Sequence, residues 1–410
     1  MKHVSVIAAI MAIMLAFSPV QAITSEGTTI AQNLTSVSTI VSPDGQNIVY
    51  MTSRNTDEAT IPMISVFNVN SGNTKSLDYA NPINLGMDMT YAASKKFFTF
   101  VGYDFENSAP CTLNFVPFDS MAVNKVPNVK GNIIKICATG SFIVWLENGV
   151  SNKCSIMAKD TDNTADPFLV ASLDVSSISS ISLYAFENSN KNYVLFDDKT
   201  DNKSAICLFS LNDKSLTKLA DSEFVESNPR YQAGKVFYTK STSVDPNYFE
   251  TSSAGGTIEC VTLDGQDLKT VFTFDKATMP NLISNIKNPT NFFFTLTNKN
   301  ENITTVKKYD IAADSAFDAF KTESGDYIWI TPESCFSNNI VYSNMSMRNE
   351  SKLYVYDFIN AKLSAISESS DIKIFSGIVG GKIAYVSIEL TGTNPRERAV
   401  TAIKLILSTI

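Results

Sequence analysis

Histidine is almost absent from this chain. Of 410 residues one is a histidine, His3, and it falls inside an N-terminal stretch that reads as a leader. Lys2 supplies the positive start, Val4 to Phe17 is mostly apolar, Pro19 breaks the run, and Val20-Gln21-Ala22 offers small residues for cleavage. The apolar part is shorter than the roughly 20 residues that cross a bilayer. Residues 1–22 are therefore expected to be a signal peptide, leaving a mature chain without histidine. That excludes Ser-His-Asp and Cys-His nucleophiles, His-ligated zinc and imidazole acid–base work. A Gly-x-Ser-x-Gly elbow is also missing, which removes peptidase chemistry of the nucleophile-elbow kind. So is any Cys-x-x-Cys pair, which removes the usual redox and zinc motifs. No later run reaches spanning length, so the expected product is exported, periplasmic or extracellular, with no transmembrane segment after cleavage. An excess of positive charge is lacking too. With 33 Lys and Arg against 41 Asp and Glu the net charge is −8. A nucleic-acid partner is excluded, because it needs clustered cations, and the acidity reads as solubility.

What the chain does have is a repeat. Short, nearly unbroken apolar runs begin at Ile48, Phe97, Phe142, Tyr193, Val236, Phe292, Ile340 and Ile383, at spacings of 43 to 56 residues. Around each run the same signals recur: a strand, a tight turn, the run, a polar loop, an alternating strand, another turn and a short fourth strand. In the first unit Ser42-Pro43-Asp44-Gly45 turns the chain ahead of Ile48, and Asn70-Ser71-Gly72-Asn73 turns it again later. A run without alternation marks a strand covered on both faces. The second strand of a propeller blade, packed between its neighbours, is such a strand. The last unit stops short of a fourth strand, while Thr28 to Leu34 stands spare at the mature N-terminus. The fold class is thus all-β. Residues 23–410 are expected to form a single β-propeller domain of four-stranded antiparallel blades, its ring closed by the N-terminal strand. Eight blades are expected, or seven if the unit around Phe97 or Phe292 is irregular.

Ser42-Pro43-Asp44-Gly45 followed by Ile48-Val49-Tyr50 resembles the repeat of TolB-type, WD40-like propellers. The stretch from Gly256 to Gly265, GTIECVTLDG, resembles a turn of related extracellular propellers. The resemblance implies a propeller across the mature chain and an envelope scaffold role, and it assigns no catalytic residue.

Six cysteines, Cys111, Cys137, Cys154, Cys207, Cys260 and Cys335, enter an oxidising compartment. An even count allows a full disulfide set. Four of them occupy similar strands of different repeats, where a small thiol packs well, and buried free thiols are the favoured reading. Binding is expected on the face carrying the longer second loops, of which Thr239 to Gly256, with Tyr248 and Phe249, is the leading candidate. Asp160-Thr161-Asp162-Asn163 with Asp166 has the carboxylate density of a calcium loop. It lacks the sixth-position Gly and twelfth-position Glu of an EF-hand, so a solvated turn is favoured and no cofactor is expected, calcium being the one ion left open. Asp197, Asp198, Lys199, Asp201 and Lys203 read as a loop of weak surface pairs. Together these features point to a secreted or periplasmic non-enzymatic propeller of the cell envelope, a binding or scaffold module for a protein or glycan partner. The alternative is a carboxylate- or metal-dependent propeller enzyme, a lyase, lactonase or glycan-cleaving protein.

Overall fold

The apolar runs become strands because β-branched and aromatic residues fill them and turn residues punctuate them at fixed offsets. The computed structural model describes residues 21–22, 27–56, 60–78, 91–104, 109–130, 132–148, 153–174, 181–200, 203–241, 255–284, 290–322, 327–330, 334–336, 338–345, 351–366, 371–391 and 399–409. Among the described residues the regular elements are all strands, and no helix is long and apolar enough to cross a membrane.

The strands form eight antiparallel blades. Blade one comprises Ile40–Val41, Asn47–Asn55, Thr60–Asn68 and Asn73–Asp78. Blades two to six occupy 91–125, 132–174, 183–220, 226–274 and 278–321 in order. Blade seven lies within 327–365, and Gln21–Ala22 adds a short parallel edge to its outer strand Lys362–Ala365. Each apolar run is the second strand of its blade, and the units around Phe97 and Phe292 are complete blades like the rest.

Blade eight closes the ring as expected. Ile372–Val379, Lys382–Thr391 and Ala399–Ser408 come from the C-terminal end of the chain, and Thr28–Gln32 pairs antiparallel with Ala399–Ser408 as the fourth strand. The Leu34 amide continues that ladder to the Ile403 carbonyl at 3.1 Å. At the seam the Gly380 amide donates to the Gly45 carbonyl at 3.0 Å. Gly377 has φ +152° there, and a Cβ on it would stand 2.6 Å from Val41 Cγ2, so a side chain has neither the backbone angle nor the room.

Packing explains why the blades need one another. The buried apolar residues sort into clusters that each join two adjacent blades, from one–two round to eight–one. Phe237 of blade five stacks on Phe292 of blade six with centroids 3.9 Å apart, and Phe186 of blade four stacks on Tyr231 of blade five at 4.1 Å. A lone sheet would leave these faces in water, at about 1.5–3 kcal/mol for each large side chain. Both turns that carry the family resemblance share one bonding pattern. Ser42 Oγ and Thr262 Oγ1 donate to the Asp44 and Asp264 carboxylates at 2.5 and 2.6 Å. The Gly45 and Gly265 amides return to the Ser42 and Thr262 carbonyls at 2.7 and 2.9 Å.

Candidate functional site

The first strands of the blades line the central channel. At the end where the first turns lie, they enclose a cavity of about 780 Å³. Its wall runs through Val37–Pro43 of blade one, Tyr91–Lys95 of blade two, Ile136–Gly140 of blade three, Leu183–Glu187 of blade four and Ile374–Ser376 of blade eight. Lys95 and Glu187 form an ion pair across this wall at 3.0 Å. The Ser376 Oγ, on the bulge between Phe375 and Gly377, is buried and meets no hydrogen-bond partner. This is the face opposite the long second loops.

Blade five is screened from the cavity. Tyr184 of blade four and Ser284 of blade six both line it, and their hydroxyls lie 3.1 Å apart, past the intervening blade. Behind Tyr184 the guanidinium of Arg230 sits 5.3 Å from the ring centroid. Arg230 owes that position to a break in the first strand of blade five, Glu226–Gln232. Pairing jumps from Ser227 to Arg230, and Asn228 adopts φ +56°, a bulge of the kind that re-aims a side chain.

Around Arg230 the blade four–five junction carries buried charge towards the long-loop end of the channel. Period-two alternation along Lys191–Thr200 puts Asp197 and Lys199 on the same side as Leu195, facing blade five. Lys199 Nζ lies 3.4 Å from Asp197 Oδ2, with both side chains almost wholly buried. The Ser182 amide donates to Asp197 Oδ1, and its hydroxyl donates to Oδ2 at 3.4 Å. Burial raises the Asp197 pKa, against the pull of Lys199 and the Ser182 amide. From blade three, Lys135 donates to the Ile181 carbonyl. Burial lowers its pKa, Asp197 opposes that shift, and Lys199 and Arg230 add to it.

Two glutamates complete the junction. Tyr238 donates to Glu259 Oε2 at 2.8 Å and Thr257 to Oε1 at 3.1 Å, while Lys240 Nζ stands 3.7 Å from Oε1. Glu226 pairs with Lys240 across the strands and is 1% exposed. Its Oε2 has no hydrogen-bond partner. Burial, reinforced by Glu259 and opposed by Ser222 and Lys240, pushes its pKa up to about 7. Glu226 thus lies beside a second carboxyl, Glu259, whose oxygens Tyr238 and Thr257 hold in place.

The residues singled out from the sequence lie elsewhere. Tyr248 and Phe249 fall outside the described residues. Asp160, Asp162 and Asp166 sit around the turn after the third strand of blade three, each bound to a protein donor. Asn163 Nδ2 donates to Asp160 at 2.7 Å, Lys96 pairs with Asp162 at 2.5 Å, and Asn128 Nδ2 donates to Asp166 at 3.0 Å. Among the described residues no three His, Cys, Asp or Glu side chains are placed to share a metal ion. The loop of weak surface pairs is corrected in part. Asp197 and Lys199 belong to a strand and are buried, because that strand runs on to Thr200, whereas Lys203 does form an exposed pair with Asp221 at 2.9 Å. Cys137, Cys154, Cys207 and Cys260 are free thiols. Burial pushes Cys154 up to about 11 and Cys207 up to about 12, so neither is a nucleophile at neutral pH. Glu226, Arg230, Lys135 and Glu259 were not anticipated. Lys135 and Glu259 each show in the sequence as a single charge inside an apolar strand, NIIKICAT and GTIECVT, whereas Glu226 and Arg230, in the polar strand ESNPRYQ, give no such signal.

No family model matches the chain, and no curated protein matches it in sequence. Solved structures do. An oligogalacturonate lyase in complex with manganese is 10% identical, with 90% of this chain and 98% of that one covered and a TM-score of 0.48. A prolyl endopeptidase is also 10% identical, with a TM-score of 0.54; 88% of this chain is covered, and the chain spans 55% of the endopeptidase's length. A putative TolB from Agrobacterium tumefaciens is 12% identical, with 64% of this chain and 89% of that one covered and a TM-score of 0.38. The expectation of a non-enzymatic binding or scaffold module is corrected here: the same fold occurs in an enzyme, the prolyl endopeptidase at a TM-score of 0.54, and so does not favour a scaffold. The sequence leaves a carboxylate-dependent enzyme open in the absence of histidine, and the blade four–five junction assembles titratable groups of that kind. What the chain shares with these proteins, at such identity, is the propeller fold, the level at which the TolB-type resemblance holds.

Proposed function

We propose that the chain is an exported propeller enzyme that cleaves a glycan by carboxylate acid–base chemistry, with Glu226 as proton donor. The observation that carries this reading is the buried Glu226 carboxyl, with one oxygen unpartnered and its pKa pushed up to about 7 by burial. Hydrolysis of a glycosidic bond needs one protonated and one ionised carboxyl. Glu226 gives its proton to the departing glycosidic oxygen. The Glu259 carboxylate, fixed by Tyr238 and Thr257, takes a proton from the attacking water, and one water is consumed per bond. Tyr184 stands between the cavity and Arg230, and the two carboxyls lie beyond Arg230, towards the long-loop end of the channel.

The test is a reducing-end assay of the purified protein on a panel of polysaccharides and oligosaccharides between pH 5 and 8. Expected are turnover of at least one glycan, an alkaline limb near pH 7, and loss of turnover on Glu226→Gln by about 10²–10⁴-fold. No turnover across the panel, or turnover unchanged by Glu226→Gln, would overturn the reading.

A further inference from the structure

What faces the central cavity follows from how a blade is set in the ring. Side chains of a strand stand off the two faces of its sheet, so those of a first strand point at the neighbouring blades. Ala93 accordingly packs on the blade one–two cluster and Ala138 on the blade two–three cluster. The free edge of the strand is left to face the channel. Every first strand that lines the cavity is hydrogen-bonded on one side alone, to the second strand of its own blade.

The turns fix which backbone groups take that position. In blade four Ser189 and Asn190, at φ 50° and 63°, make a two-residue turn closed by Asn188 and Lys191. Bonding to the second strand then alternates back through Phe186 and Tyr184, and the N–H and C=O of Glu187, Ala185 and Leu183 are directed into the channel. In blade three Thr139 pairs with Phe142 across Gly140-Ser141, which turns the Ala138 backbone outward. In blade two the Ser94 amide donates to the Phe97 carbonyl at 2.9 Å, which does the same for Ala93. Among the described residues no hydrogen bond outside the strand ladders reaches the backbone of Ala93, Ala138 or Ala185. All three are partly exposed and line the cavity, and a methyl group at each leaves the strand edge open to close approach.

Such a wall is matched by another main chain. Outward amides recur at every second residue, roughly 7 Å apart along a strand, and an extended peptide carries its own donors and acceptors at that repeat. Sugar hydroxyls and aliphatic chains do not. The rest of the lining is more apolar than polar, and its charged side chains among the described residues, Lys95 and Glu187, make a partly exposed pair of no net charge. Uncharged peptide side chains suit it. The volume of about 780 Å³ falls in the range of about 300–1,000 Å³ typical of small-ligand sites, and the first strand of blade four, Leu183–Asn188, offers 6 residues to pair. We infer that the central cavity binds an extended peptide segment with small uncharged side chains, added as a strand to the channel edge of blade three or four. The inference does not rest on the carboxylate-enzyme reading, since neither Glu226 nor Glu259 lines this cavity.

The experiment is titration calorimetry on the unsubstituted chain with acetylated and amidated hexapeptides of Ala, Ser, Thr and Val, joined to hydrogen exchange read by mass spectrometry. At least one hexapeptide is expected to bind, and to slow exchange in fragments covering Asn132–Thr139 or Leu183–Asn188. N-methylation at alternate residues removes the donors along one edge of the peptide. At least one of the two alternating sets should weaken binding by about tenfold or more. Ala185→Pro takes away an outward N–H while sparing the ladder, a placement that edge strands tolerate, and should also weaken binding by about tenfold. Its circular dichroism and Tm report whether it folds, and the N-methyl series decides the matter without any variant. No hexapeptide binding, binding without protection of either strand, or binding that neither N-methyl set weakens would overturn the inference. Glycan turnover is read in a separate assay, so the two readings fail independently.

Discussion

The hydroxyl of Tyr184 lies 3.1 Å from that of Ser284, joining blade four to blade six past blade five. The contact divides the channel. On one side lies the cavity, and on the other the Arg230 guanidinium rests against the Tyr184 ring. Removing the hydroxyl should loosen that partition with little loss of packing. Tyr184→Phe is expected to cost about 0.5–1.5 kcal/mol, a single hydrogen bond. It should also raise amide exchange in the bulged strand Glu226–Gln232, read by mass spectrometry of peptides covering it. Unchanged exchange in that strand would show that Tyr184 does not screen blade five.

Glu226 should make stability depend on pH in a defined direction. Its folded pKa, pushed up to about 7, exceeds the ordinary glutamate value of 4.5, so between those values the folded chain binds more protons than the unfolded one. Stability is therefore fullest below about pH 4.5 as far as this group is concerned, and declines as pH rises through 7. The shift corresponds to about 3 kcal/mol at full ionisation. Glu226→Gln should raise Tm at pH 8 and leave it nearly unchanged near pH 4.5. Equal effects at both pH values would contradict the assignment. A residue that lowers stability at neutral pH fits a functional role better than a structural one.

Asp197 should behave in the opposite way on truncation. It stands among Lys199, Lys135 and the Ser182 amide in a buried setting, so removing it leaves cations without compensation. Asp197→Ala is expected to destabilise the chain by about 3–5 kcal/mol, measured by urea unfolding. A loss below 1 kcal/mol would mean that water or other groups take over its role.

Much of the fold was legible in the residues themselves. The IVYM, FIVWL and FFFTL runs marked the second strands, and Ser42-Pro43-Asp44-Gly45 and Leu263-Asp264-Gly265 marked turns that the structure builds with the same hydrogen bonds. Thr28–Gln32 was legible as the closing strand because the last unit was one strand short. The site was not legible, since its members come from blades three, four, five and six and meet only when the ring closes. Asp197 and Lys199 looked like loop charges because a strand boundary read from the sequence stopped too early. Arg230 reaches Tyr184 through a bulge at Asn228-Pro229, and a local Asn-Pro signal says turn without saying what it aims.

Ring closure yields a prediction of its own. A chain beginning at residue 35 lacks Thr28–Gln32 and Leu34, which cover the last strand and pack in the blade eight–one cluster. It is expected to lose cooperative unfolding or to associate through the exposed edge Ala399–Ser408. A monomer with an unchanged unfolding midpoint would mean that the N-terminal strand is dispensable to the ring.

The most direct measurement of the central claim is the titration of the Glu226 carboxyl itself. Isotope-edited infrared difference spectra between the unsubstituted chain and Glu226→Gln, recorded from pH 4 to 9, isolate its protonated C=O band. The account predicts a midpoint of about 7. A midpoint near the ordinary glutamate value of 4.5 would leave Glu226 ionised at neutral pH and without a proton to donate, and would contradict it.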